Sequence, residues 1–171
     1  MANNSMIFDV SSIIKDNYSK LESSGAHSSH IFLWILLIPY LFSILVSITP
    51  FFIDFCNIAQ SNYIVSFASI IIGFLINVSV ILKATETKYS IAVSLKSRVF
   101  ANIFYTILIG VLLVVMIIIG TWLNPMIIYS QQVIFWKATI FMSYLILQYF
   151  LFFHFIVMLL VVMKGFYAVC K

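Results

Sequence analysis

The stretch "FLFFHFIVMLLVV", residues 150–162, holds one histidine, His154, among twelve apolar residues. An imidazole titrates near neutral pH, so it can pass protons, ligate a metal or hold two hydrogen-bond partners at once. A proton relay needs a second titratable group at similar depth, and a metal needs further ligands. The apolar runs of this chain contain no internal Asp, Glu or Arg, and Lys137 lies near the outer end of the last run. His27 and His30 precede the first run, and Cys56 and Cys170 show no metal-ligand spacing. The lack of a membrane-embedded carboxylate argues against a secondary transporter. The lack of an acid–base pair, a metal cluster or an activated nucleophile argues against an enzyme. No metal and no cofactor are expected. Neutral His154 is expected to bond a serine, a backbone carbonyl or Gln148 of another helix, fixing helix packing or a subunit contact. A pH or ligand sensor and a pore lining are the alternatives.

The remaining intramembrane polar groups fall into stripes. Ser66, Ser69, Gly73 and Asn77 share one helical face, Asn102, Thr106 and Gly110 another, and Ser43 and Ser47 a third. Small residues let helix backbones approach, and Asn or Thr can bond across the contact. All three stripes are expected to face inward. Asn77 lies six residues before Lys83 and Asn102 four after Arg98, so each is about 6–9 Å from the same membrane surface. A mutual Asn77–Asn102 clamp is expected, with a polar vestibule or an oligomer interface as alternatives. Gln148 points about 120° away from His154 and serves a different face.

The elements that carry these residues follow from composition. The 171 residues are 64% hydrophobic and 8% charged, against about 25% charged in soluble domains. The mean hydropathy is +1.16. Four runs are long enough to span a bilayer as helices, 31–53, 63–82, 100–122 and 135–163. Pro39 removes a backbone donor inside the first. The fold class is an all-α integral membrane protein, a four-transmembrane-helix bundle preceded by an amphipathic helix. Residues 1–29 form that helix and a linker, 30–164 the membrane domain, and 165–171 a short tail.

Eight of the nine Lys and Arg residues lie in the N-terminal segment, the 83–99 segment and the C-terminus, which places all three in the cytoplasm. The expected location is the bacterial inner membrane. In the N-terminal helix, Ile7, Val10, Ile14 and Leu21 line one face. It either rests on the membrane surface or docks a partner. The 83–99 segment carries Lys83, Lys88, Lys96 and Arg98. It either sets topology and touches anionic lipid, or receives an acidic cytoplasmic protein. Nothing in it reads as a nucleic-acid module, and no direct nucleic-acid contact is expected.

The plan of four spans with both termini inside, the polar N-terminal segment, "LINVSVILK" closing the second span and "SLKSRVFANIFYTILIGVLLVV" entering the third resemble the membrane subunit of the Kiwa anti-phage system. The resemblance covers the architecture of the whole chain and carries no residue over. It implies a homo-oligomer, a tetramer, that senses phage attack at the inner membrane and recruits or controls a cytoplasmic DNA-binding effector. The function expected is therefore a non-enzymatic sensor or anchor whose partners are its own copies, membrane lipid and a cytoplasmic effector. The alternative is a pore-forming or holin-like protein that depolarises the membrane.

Overall fold

The computed structural model describes residues 14–15, 19, 33–48, 58–84, 90–128 and 135–170. Every element among them is helical. A π-helical turn, Leu33–Leu37, runs directly into α1, Ile38–Ile48. The others are α2, Ile58–Ala84, α3, Ser90–Ile128, and α4, Phe135–Cys170. Continuous apolar sequence without internal breakers explains α2 and α4, since a helix satisfies every backbone group within itself. Three segments are long and apolar enough to cross a membrane: Asn62–Ala84, Leu95–Trp122 and Met142–Tyr167. The first expected span is shorter as described. Its 5 π-helical and 11 α-helical residues fall below the about 20 that span a bilayer, and the rest of 31–53 lies outside the described residues.

The helices alternate in direction. Ala68 of α2 packs with Leu113 and Ile117 of α3 and with Leu151 and Phe155 of α4. Further along α2, Leu75, Val78 and Leu82 pack with Val99 and Ile103 of α3 and with Val162 of α4. α2 and α4 therefore run one way and α3 the other. Ile35 meets Tyr105 and Met158 while Tyr40 meets Phe150 edge-on, so α1 is antiparallel to α4. The extensive contacts are α2 with α3, α3 with α4, and α4 with α1, which sets α1 and α2 at opposite edges. Exposed Tyr63 and Trp122 mark one end of the bundle, as aromatic residues do at a bilayer interface. Lys83 and Arg98 mark the other, about 30 Å away along α2.

Two glycines of α3 set how close α4 approaches. A Cβ on Gly110 would lie 2.8 Å from Phe155 Cε2. One on Gly120 would collide with the Tyr144 hydroxyl, which donates to the Met116 carbonyl at 2.6 Å.

The described residues of the segment 83–99 are helical, and 85–89 lie outside the described residues. α2 includes Lys83, and α3 begins at Ser90, so Lys96 and Arg98 ride on the first turns of a helix. Packing explains this: Val99 and Ile103 are core residues of the α2–α3 contact, and the helix propagates back from them.

Candidate functional site

The polar centre of the bundle begins with Pro39. In a regular helix the carbonyl of residue 35 accepts from the N–H of residue 39, and proline has none. The buried Ile35 carbonyl thereby lacks its regular helical donor. A π-helical turn sits at this place, and α4 supplies the missing donor. His154 Nδ1 lies 2.8 Å from the Ile35 carbonyl oxygen. A carbonyl only accepts, so the ring carries a proton on Nδ1. Nε2 lies 2.9 Å from the Tyr105 hydroxyl of α3 and in the neutral ring accepts from it.

Aromatic packing fixes the imidazole plane. Phe150 stacks on it at 5.7 Å and 10°, and Tyr105 meets it edge-on at 5.8 Å and 90°. His154 is 2% exposed. One side chain therefore ties together α1, α3 and α4, with both ring nitrogens engaged. No cluster of three or more His, Cys, Asp or Glu exists among the described residues. The arrangement is a hydrogen-bonded clamp of three helices.

Two of the three expected stripes face inward. Ser43 and Ser47 are fully buried and extend Ile35 and Pro39 into a line of every fourth residue against α4. Their hydroxyls stay within α1, Ser43 donating to the Tyr40 carbonyl and Ser47 to that of Ser43. In α3, Asn102 is 3% exposed and Thr106 is fully buried. Thr106 donates to the Asn102 carbonyl, one turn back, at 2.7 Å. Gln148 is also buried, at 6% exposure.

The α2 stripe faces the other way, contrary to expectation. Ser66, Ser69, Gly73 and Asn77 are all exposed, and a Cβ on Gly73 would meet nothing within 4 Å. The Asn77–Asn102 clamp is accordingly not formed. Helix geometry gives the reason: Asn77 lies about 180° around α2 from Ala68 and about 160° from Leu75. Those larger apolar residues, with Val78 and Leu82, bury more surface against α3 and α4 than the small stripe would, and they set the rotation of the helix.

Of the basic residues, Lys83 is exposed, Lys96 and Arg98 are half-buried, and Lys88 lies outside the described residues. Of the N-terminal face, Ile14 is helical and exposed, while Ile7, Val10 and Leu21 lie outside the described residues. Reading by stripe did not single out Tyr105 or Ile35. Ile35 had a signal, a proline four residues on. Tyr105 had a weaker one, a phenol deep in an apolar run that needs a partner for its O–H. The chain matches no family model, no curated protein and no solved structure.

Proposed function

We propose that this chain is a non-enzymatic membrane subunit that self-assembles and anchors or signals to a cytoplasmic effector. The observation that carries the reading is the outward face of α2. Asn77 presents an amide where lipid offers no hydrogen-bond partner, beside the open backbone of Gly73 and the hydroxyls of Ser66 and Ser69. Amides and small residues of this kind bring membrane helices together. The self-assembling unit is read as a tetramer in the bacterial inner membrane with four passes, both termini in the cytoplasm. The basic-residue count supports that orientation. The resemblance to the Kiwa membrane subunit supports a role in anti-phage defence with a cytoplasmic effector as partner.

Co-expression of two differently tagged copies tests the assembly. Capture of one tag in mild detergent should bring down the other, and Asn77→Leu should reduce that recovery several-fold without loss of helix content. Equal recovery from the Leu variant would overturn the α2 interface.

A second reading rests on the same face. Copies arranged with α2 around a common axis would line a water-filled path with Asn77 and serines, which is the pore or holin-like alternative. Conductance across liposomes that depends on Asn77 supports the pore. Tight liposomes with an intact assembly support the anchor.

A further inference from the structure

One end of the bundle gathers cations from three helices. Leu82 of α2, Val99 of α3 and Val162 of α4 pack in a single cluster. Lys83 follows Leu82, Arg98 precedes Val99, and Lys164 stands two residues beyond Val162. Val99 fits against the bare backbone of Gly165, where an added Cβ would lie 2.9 Å from Val99 Cγ2. That close crossing of α3 and α4 holds Arg98 and Lys164 at one level, where both helices leave the apolar core. Lys83 and Lys164 are exposed, and Arg98 is half-buried. Tyr167, three residues past Lys164, is exposed at the same end.

We propose that Lys83, Arg98 and Lys164 form a collar that binds the phosphate headgroup of an anionic phospholipid. Depth is what favours lipid over protein as the occupant. Only residues 85–89 separate α2 from α3, so these cations sit on the bundle at the edge of its core, not on a loop reaching away from it. Lipid phosphates lie at that level, beside interfacial tyrosine. A guanidinium gives a phosphate two parallel hydrogen bonds, and flanking ammonium groups add point charge. Near an anionic surface each such cation is worth about a fivefold gain in affinity.

The inference rests on the membrane reading, and fractionation tests that reading separately. A chain left in the supernatant after membranes sediment refutes the membrane reading, and the collar with it. For a sedimenting chain, the full-length protein in neutral detergent is titrated with phosphatidylglycerol or phosphatidylcholine, following lipid retained and melting temperature. Phosphatidylglycerol should be retained and should raise the melting temperature, whereas phosphatidylcholine should do neither. Lys83→Gln, Arg98→Gln and Lys164→Gln together should weaken phosphatidylglycerol binding about a hundredfold, with helix content unchanged by circular dichroism. If the triple variant misfolds, each single variant should show its own about fivefold loss. Lys137→Gln, at the opposite end of α4, should bind as the parent does. Equal effects of the two lipids, or full binding by the variants, would overturn the collar. So would inorganic phosphate matching phosphatidylglycerol, or polyglutamate displacing it, the latter making the surface a dock for acidic protein.

Discussion

Replacing His154 by Leu removes two hydrogen bonds at once and leaves the Ile35 carbonyl and the Tyr105 hydroxyl without their shared partner. Side-chain hydrogen bonds between membrane helices average about 0.6 kcal/mol and reach about 1.7. Two of them put the loss at about 1–3 kcal/mol. The diagnostic step is Pro39→Ala, which restores an N–H to residue 39 and lets Ile35 bond within its own helix. In that background His154→Leu removes only the bond to Tyr105, so its cost should fall by about half. The coupling read from the four-variant cycle should be about 0.5–1.5 kcal/mol, the value of one such bond. Reversible unfolding in mixed micelles by added SDS, followed by circular dichroism at one protein concentration, measures all four stabilities. Tyr105→Phe supplies the other half of the ledger, because it removes the remaining bond and leaves the Ile35 contact intact. Distant, independent sites add to within about 0.3–0.5 kcal/mol. A cycle that adds that well would mean the proline-freed carbonyl is not what His154 serves, and the clamp would fail.

Thr106→Val should be nearly neutral, within about 0.5 kcal/mol in the same unfolding assay, because the Thr106 hydroxyl serves only its own helix. A loss comparable with that of His154→Leu would show a bond across helices instead. Gly120→Ala should destabilise by about 1–3 kcal/mol through overpacking on Tyr144, and Tyr144→Phe should return part of that loss by removing the atom struck. An additive pair would place the strain elsewhere. Reporters fused to either terminus should be active in the cytoplasm and silent outside it. Activity of either fusion on the outer side would refute the proposed orientation.

The long apolar runs made α2, α3 and α4 legible from residue type alone, since twenty such residues leave the backbone no other way to satisfy itself in lipid. The inward stripes of α1 and α3 were legible for a related reason: a serine or threonine in a helix can bond back to its own carbonyls and so can be buried at little expense, as Ser43, Ser47 and Thr106 are. The rotation of α2 was not legible. Its small stripe and its Ala68–Leu75–Leu82 face are both plausible contacts when that helix is read alone, and only the matching surfaces of α3 and α4 decide between them. His154 was legible as a packing residue, but its partners were not. One is a backbone atom freed by a proline more than a hundred residues earlier, and the other is a phenol outside every stripe.

The described polar side chains of the membrane segments therefore divide by where their hydrogen bonds can go. Ser43, Ser47, Ser79 and Thr106 bond to their own helices. Tyr144, Tyr105 and His154 bond to other helices of the same chain. All seven thus have hydrogen-bond partners within the chain, and the last three join helices. His154 belongs to this group because the proline of α1 created the vacancy that it fills. Asn77 belongs to neither group. It is turned out of the fold by the stronger apolar face of its own helix, at the edge of the bundle, beside an open glycine. Under the proposed assembly, a second surface would supply the amide with a partner. The buried histidine thus joins three helices of the fold, and the exposed asparagine is the residue on which the proposed assembly is to be tested.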